Sequence, residues 1–203
     1  MLPSSPLGSR GKGRPVTQEV PDQPQPRLPV PGADALRADV AALLPLIAPT
    51  GREPARTMAV LALQPDLLSP FLGWAAALAL NGVLTHRDHE LLALRTAWRC
   101  RSDFEWAEHV EYARAAGLDD PEIKAVAAEP VTSWSTRDAA LLRAVDELTT
   151  HAQVTDATWR DLAEHFDQPA LVEILFVVGQ YTMLSMVANG AGIEAPDGAE
   201  HLP

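Results

Sequence analysis

Residues 85–109 read THRDHELLALRTAWRCRSDFEWAEH, and this stretch decides the fold. Its apolar residues recur at intervals of three, four and seven positions, which is the period of an α-helix. Neither here nor elsewhere does the sequence show a convincing alternating pattern of the kind typical of a β-strand. The stretch therefore predicts two consecutive helices, from about 86 to 99 and from 103 to about 116, the second closed by Gly117.

Two capping signals set the starts of these helices. Thr85 is followed three residues later by Asp88, and Ser102 is followed three residues later by Glu105. In a capping box, the first side chain accepts a hydrogen bond from the first turn and the acidic side chain reaches back to the first backbone N–H. We expect both pairs to form such boxes, with Ser102 and Glu105 the cleaner match.

The rest of the chain predicts further helices, bounded by caps, glycines and prolines. They lie at about 35–47, 55–63, 66–80, 120–128, 136–150, 156–166 and 169–188, with Asp66 as the cap of the third. The fold class is therefore all-α, with eight or nine helices in one domain over residues 34–203. Residues 1–33 are rich in proline, serine and glycine, which predicts a disordered tail, or one that packs across a neighbouring subunit.

Composition excludes several functions. The 203 residues carry 16 basic and 27 acidic side chains, a net charge of −11, which argues against a nucleic-acid partner. The single cysteine, Cys100, excludes an internal disulfide and a dithiol centre and favours a reducing, cytoplasmic location. Glu173, Gly179 and Gln180 interrupt the apolar stretch 170–188, so we expect a buried core helix and no membrane span.

Polar residues that suit acid/base chemistry concentrate in the same central stretch. Glu105 and His109 are spaced i, i+4, so both project from one helix face, which Tyr112 extends by another turn. A carboxylate beside an imidazole sets its tautomer and its pKa, although a surface pair has the same spacing. Trp98 and Trp106 are expected to line or support an apolar pocket, or to belong to the core.

The run ELLALRTAW at 90–98, followed by FEWAEH at 104–109, resembles the carboxymuconolactone decarboxylase and alkylhydroperoxidase D superfamily. The closer similarity is to the branch with Glu-Trp-x-x-His and without Cys-x-x-Cys. Further matches lie at 113–118, 134–142, 158–159 and 179–184, so the resemblance covers about 65–192. It implies an AhpD-like helical fold in which Glu90 and His109 face one another over a pocket. It also implies a homo-oligomer, as a dimer, trimer or hexamer.

The same resemblance disfavours a thiol peroxidase. In the peroxidase branch two cysteines occupy the positions of Ser102 and Glu105 here, between the glutamate at Glu90 and the histidine at His109. A thiol mechanism needs an attacking and a resolving thiol, and neither serine nor carboxylate replaces them. Cys100 lies two residues too early and is interpreted as a packing residue.

We therefore predict an acid/base enzyme without metal or organic cofactor, acting on a small carboxylated, lactone or ketone-like substrate. Its catalytic residues are Glu90, Glu105 and His109. Substrate contacts are predicted for Arg95, Trp98, Ser102, Trp106 and Tyr112, with Arg95 or Arg99 holding an anionic group and Arg95 equally consistent with a structural ion pair.

Two alternatives belong to other classes of function. A metal site is one, because His86, His89, Glu90, Glu105 and His109 are suitable ligand types, although their order matches no zinc motif. A non-catalytic binding module that retains the fold is the other.

Overall fold

The computed structural model describes residues 27–36, 38, 56–129, 131 and 134–203. These residues form eight α-helices and one short 3₁₀ helix at Ala33–Ala35, and they contain no β-strand. The α-helices are α1 (Arg56–Leu61), α2 (Pro65–Asn81), α3 (His86–Arg99), α4 (Asp103–Ala115), α5 (Asp120–Val126), α6 (Thr136–His151), α7 (Asp156–Ala163) and α8 (Gln168–Ala191). The predicted all-α fold is confirmed.

The helix α3 lies at the centre of the domain. It packs against α4, α6 and α8, and every residue from Asp88 to Ala97 is buried. The leucines of α3 join the main hydrophobic core with side chains of α6 and α8. Burial on all sides also places the polar side chains of Glu90 and Arg95 in the interior, where each needs a partner.

A tight turn at 100–102 reverses the chain between α3 and α4. Arg101 adopts a left-handed conformation there with φ of 52°, and Ser102 N donates to Ala97 O at 2.9 Å. Asn189 of α8 fixes the turn from outside by donating from Nδ2 to Cys100 O at 2.9 Å. The two helices therefore form a hairpin, and residues far from the turn on α3 face residues well inside α4.

The loop between α2 and α3 is held by a buried carboxylate of α8. Glu173 accepts hydrogen bonds from Val83 N at 2.5 Å and Leu84 N at 3.4 Å. A Cβ atom on Gly82 would lie 2.1 Å from Glu173 Oε1, so this position requires glycine for space. Its φ of −66° is not left-handed, so the glycine ends α2 by permitting this close approach.

The helix α8 is the long core helix predicted from the sequence. By length and mean hydropathy, 1.7 over its most apolar window, it is the one described helix that satisfies the criteria for a membrane span, yet 56% of that window is buried inside the domain. Its buried side includes Glu173, Gln180 and Tyr181. Polar residues on the buried side are compatible with a helix that packs against protein.

Several predicted boundaries are wrong by a few residues. Asp66 does not cap α2, because the helix begins at Pro65 with Gln64 in the cap position. The helix α5 begins at the predicted residue, Asp120, with Asp119 and Glu122 forming a capping box, but it ends at Val126, two residues before the predicted end. The helix α7 ends three residues earlier than predicted and α8 continues three residues further, to a left-handed Gly192.

The N-terminal predictions fall largely outside the described residues. Residues 1–26 of the predicted tail and residues 39–55, which include most of the helix expected at 35–47, lie outside them. The described part of the tail contacts the end of α8. Arg27 N and Leu28 N both donate to Ala191 O, at 2.8 and 3.1 Å.

Candidate active site

Glu90 of α3 and His109 of α4 form a direct hydrogen bond. The distance from His109 Nδ1 to Glu90 Oε2 is 2.7 Å, and each side chain retains 11% of its surface exposed. The structure therefore brings together the two residues that the resemblance placed on facing helices. Their small exposed fraction leaves the pair at the edge of the core, within reach of solvent.

Glu105 lies on the other side of the same imidazole. Its Oε2 is 4.0 Å from His109 Nε2, its side chain is 4% exposed, and its Oε1 has no hydrogen-bond partner among the described residues. The predicted capping box with Ser102 is wrong, since the α4 cap has no side-chain hydrogen bond. The Glu105 carboxylate instead lies beside His109, where the i, i+4 spacing places it.

Burial and neighbouring charges shift the pKa values of both groups. Burial raises the pKa of Glu105 to about 7, although His109 lowers it in part. Burial alone would lower the pKa of His109, but the charge and hydrogen bond of Glu90, with the charges of Glu105 and Glu108, raise it above its ordinary value. A carboxyl group that titrates near neutral pH thus lies beside an imidazole that favours its protonated form.

Tyr181 of α8 completes the cluster from above the imidazole. Its ring makes an edge contact with the His109 ring at 4.5 Å between centroids, and its hydroxyl lies 2.9 Å from His89 Nε2. Burial, followed by the charges of Glu90 and Glu105, raises the pKa of Tyr181 well above its usual value, so the hydroxyl stays protonated. Burial lowers the pKa of His89, which favours the neutral ring. The neutral Nε2 can then accept a hydrogen bond from the Tyr181 hydroxyl.

Sequence reasoning did not assign a role to Tyr181 or to the His89 contact. The signal was present, because Glu173, Gln180 and Tyr181 interrupt an otherwise apolar helix. A buried polar residue in such a helix needs a partner, and each is therefore a candidate for an interior contact.

Tyr112 lies at the outer side of the cluster. Its ring is tilted against the His109 ring, with centroids 5.5 Å apart, and 36% of the residue is exposed. Of the predicted substrate contacts, Tyr112 is the one placed beside His109 and open to solvent.

Arg95 does not belong to the cluster around His109, and the structure places it in a separate network of hydrogen bonds. It is fully buried and binds Asp146 of α6 through two hydrogen bonds of 2.8 Å. Its Nη1 donates to Val126 O and Ala128 O at 2.6 and 2.9 Å, at the end of α5. The structural ion pair is therefore the correct alternative for Arg95.

Trp98 lies in the Arg95 network, and Ser102 and Trp106 are buried, with Ser102 Oγ and Trp106 Nε1 lacking a hydrogen-bond partner among the described residues. The Trp98 ring lies under the guanidinium of Arg95 at 4.3 Å, within the same structural network. Ser102 and Trp106 are 0% and 1% exposed, and Trp106 packs into the main core. Their contacts with substrate stay predictions. Arg99 likewise pairs with Glu129 at 2.6 Å on the side of the Arg95 network.

The predicted metal alternative lacks a suitable geometry. No group of three or more His, Cys, Asp or Glu side chains in the described ranges is arranged to hold a metal ion. His89 binds the Tyr181 hydroxyl, and His86 is exposed at the start of α3. The five residues proposed as ligands therefore separate into an acid/base cluster and an exposed histidine.

The geometry suits proton transfer. His109 is held by Glu90 at Nδ1, and its other nitrogen, Nε2, is directed toward Glu105. The 4.0 Å separation is too long for a direct hydrogen bond, and an atom lying beside the gap can contact both groups. Two proton carriers with perturbed pKa values in a largely buried place are typical of an acid/base site.

Comparison with known proteins agrees with this fold. The sequence model of the carboxymuconolactone decarboxylase family matches residues 65–147, which include α3, α4 and most of α6. No curated protein matches the chain.

Two crystal structures share most of the architecture. The alkylhydroperoxidase AhpD core of an uncharacterized peroxidase-related protein from Ralstonia eutropha JMP134 is similar at a TM-score of 0.75 and 22% identity, over 86% of this chain and 94% of that one. An uncharacterized peroxidase-related protein from Silicibacter sp. TM1040 is similar at a TM-score of 0.74 and 17% identity, over 88% and 96%. At these identities the likeness establishes the fold.

Proposed function

We propose that this chain is a member of the carboxymuconolactone decarboxylase family, whose sequence model matches residues 65–147, and that it is an acid/base enzyme acting on a small carboxylated, lactone or ketone-like substrate. The observation that carries the proposal is the position of the His109 ring, hydrogen-bonded to Glu90 at 2.7 Å and 4.0 Å from Glu105. The reaction uses protein groups alone, with no metal or organic cofactor.

Glu90, Glu105 and His109 each have a separate role in the proposed reaction. His109 donates a proton from Nε2 to a carbonyl oxygen, and Glu90 holds the resulting imidazole in place. Glu105 removes a proton from the carbon next to that carbonyl, and the C–H electron pair forms the C=C bond of an enol. In a carboxylated substrate the C–C bond to CO₂ breaks instead, and protonated Glu105 then delivers the proton to that carbon. The raised pKa of Glu105 permits both directions of transfer near neutral pH.

A thiol peroxidase reaction is not proposed, although both similar structures carry the words peroxidase-related in their names. Ser102 and Glu105 occupy the positions that two cysteines have in the peroxidase branch of the family, and Cys100 is the single thiol of the chain. Burial raises the pKa of the Cys100 thiol, which disfavours the thiolate needed for attack. Turnover of cumene hydroperoxide with a dithiol reductant, lost in Cys100→Ser, would contradict this; a rate equal in both proteins is expected.

We also propose a cytoplasmic homo-oligomer. The exposed face of α8 consists of Val172, Phe176, Gly179, Met183, Met186 and Gly190. This face has no charged side chain, whereas the chain as a whole carries −11, so a second copy meets little charge repulsion there. Trp74 of α2 stacks on Phe176 at 5.0 Å and extends the apolar surface.

The acid/base proposal is tested by proton exchange in D₂O. A panel of small lactones, ketones and β-keto acids is incubated with the protein, and loss of the α-proton signal is followed by NMR. Glu105→Gln and His109→Gln are each expected to lower the rate at least about a hundredfold, the low end for a lost proton carrier. Glu111→Gln, on the exposed side of α4, is the matched control and is expected to leave the rate unchanged. A wild-type rate across the panel equal to that of Glu105→Gln would overturn the proposal.

A further inference from the structure

We propose that the substrate of this site is an uncharged lactone or ketone, and that the reaction is a proton shift without loss of carbon dioxide. This inference rests on the proposed acid/base function and narrows its substrate class. The observations behind it are the distribution of charge around His109 and the partners of the neighbouring arginines.

Carboxylates outnumber cations around the imidazole. Glu90 and Glu105 lie on either side of His109, at 2.7 and 4.0 Å. Glu108, the preceding residue on α4, is half-buried, and its charge acts on both His109 and Glu105. His109 is the cation among these groups, and it is already paired with Glu90. A substrate carboxylate would therefore enter a place of negative charge.

The arginines of α3 are directed into salt bridges elsewhere. Arg87 binds Glu122 and Asp138, at 2.6 and 3.0 Å. Arg95 is buried against Asp146, and Arg99 binds Glu129. These guanidinium groups hold α3 to α5, to α6 and to the segment after α5, so they do not neutralise an anion beside His109. A guanidinium group is the usual partner for a substrate carboxylate, and these three are occupied elsewhere.

The groups that do face His109 suit a neutral molecule. The rings of Tyr181 and Tyr112 contact the imidazole at 4.5 and 5.5 Å and offer apolar surface. The Nε2 of His109, on the side of the ring away from Glu90, is a single proton donor and lies 4.0 Å from Glu105 Oε2. A carbonyl oxygen accepting from Nε2, with its hydrocarbon frame against aromatic rings, satisfies both features.

The corresponding reaction moves one proton and no carbon. Glu105 takes a proton from the carbon beside the carbonyl, and the C–H electron pair forms a C=C bond while the carbonyl oxygen takes the Nε2 proton of His109. The substrate carries a C=C bond in the β,γ position, so the enol is a dienol, which returns its O–H proton to His109 and accepts the Glu105 proton at its γ carbon. The product is a conjugated isomer, and both protein groups regain their starting protonation.

A matched pair of probes tests the substrate class. One is a five-membered β,γ-unsaturated lactone with a methyl group at ring carbon 5, and the other is the same ring with a carboxymethyl group there. At pH 7.5 the methyl lactone is expected to have a kcat/KM at least tenfold higher. A higher value for the carboxylated lactone, lost in Glu105→Gln, would overturn the uncharged-substrate inference and leave the acid/base function standing. The acid/base function would be overturned if the wild-type protein isomerised neither lactone and exchanged the α-protons no faster than Glu105→Gln does.

Binding and charge variants separate the two proposals further. The saturated forms of both lactones are titrated while the ring signals of His109 are followed by NMR, which needs no turnover. Tighter binding of the methyl form is expected; equal or weaker binding would overturn the substrate class. Glu108→Gln removes one negative charge and is expected to reduce the preference for the methyl lactone over the carboxymethyl lactone about threefold. Glu111 pairs with Arg114 at the surface, so Glu111→Gln is expected to leave this preference unchanged. A preference that Glu108→Gln does not alter would contradict its electrostatic origin.

Discussion

The Nδ1 atom of His109 lies 2.7 Å from Oε2 of Glu90, a residue 19 positions earlier on a different helix. The hairpin of α3 and α4 creates this contact, and burial strengthens it because solvent screens a buried pair weakly. The Glu90 charge raises the pKa of His109 against the opposing effect of burial. The protonation state of the central imidazole is thus set from the neighbouring helix.

Glu90→Gln is expected to lower the pKa of His109. A histidine whose pKa is raised by folding contributes stability that is fully present below its unfolded pKa, about 6.5, and is lost as pH rises through the folded pKa. The variant should therefore lose about 2 kcal/mol of unfolding free energy below pH 6.5 and progressively less at higher pH. NMR titration of the His109 ring and urea unfolding between pH 5.5 and 9 measure the two effects. An unchanged His109 pKa would contradict the assigned cause.

Glu105→Gln is expected to flatten the dependence of stability on pH. The pKa of Glu105 is raised from 4.5 to about 7, so the folded state binds more protons than the unfolded state within that interval. Wild-type stability should fall by about 3 kcal/mol as pH rises through it. Glutamine stands in for the neutral acid, so the variant should be more stable than wild type above pH 7. Glu111→Gln is the control, and an equal fall in wild type and Glu105→Gln would count against the raised pKa.

The sequence predicted a capping interaction correctly at the first turn of α3. Thr85 and Asp88 form the predicted capping box, with Asp88 N donating to Thr85 Oγ1 at 3.1 Å. The same signal at Ser102 and Glu105 predicted a box that is absent, because the Glu105 side chain contacts His109 instead. Sequence spacing predicts which residues share a helix face, but packing decides which competing partner an acidic side chain takes.

The pattern of residues along the chain did not predict contacts between helices that are far apart in sequence. The Tyr181 and His89 contact joins residues 92 positions apart, and no spacing rule connects them. Glu90 was assigned through the family resemblance, since helical periodicity does not say which face of α3 meets α4. Arg95, on that same helix, faces Asp146, and the sequence left this structural role and substrate binding equally open.

Tyr181→Phe is expected to preserve the fold but to lower its free energy of unfolding. The change removes the hydroxyl 2.9 Å from His89 Nε2 and leaves the ring beside His109 in place. A buried nitrogen without its partner costs about 1–3 kcal/mol, which urea unfolding measures. The ¹⁵N shift of His89 Nε2 should move with it, whereas a purely steric role for the ring would leave both quantities at their wild-type values.

Arg95→Met is expected to destabilise the fold without changing substrate affinity. Removing Arg95 leaves Asp146 with only its longer contact to Arg99 at 3.6 Å and takes the donor from Val126 O and Ala128 O, at a cost of about 3 kcal/mol. Arg99→Met, on the same helix but paired at the surface, should cost less than about 1 kcal/mol. Urea unfolding compares the two variants. A large rise in KM for Arg95→Met at full folding would restore a role in substrate binding.

The exposed face of α8 is expected to mediate self-association. Val172, Phe176, Met183 and Met186 project from one side of the helix, with Gly179 and Gly190 between them, at successive intervals of four and three residues. That spacing is the seam of two packed helices, and glycine permits close approach of the backbones. Met186 is 68% exposed in the single chain, so burial against a second copy removes a large apolar side chain from water.

Met186→Glu places a charge in the centre of this face. Analytical ultracentrifugation at micromolar concentration should give a multiple of 21.9 kDa for wild type and 21.9 kDa for the variant, because two copies would bury two unpaired carboxylates. Trp159→Glu, an equally drastic change at an exposed aromatic residue of α7, is the control and should retain the wild-type mass. A wild-type monomer would exclude the assembly, and an intact oligomer in Met186→Glu would place the interface on another face.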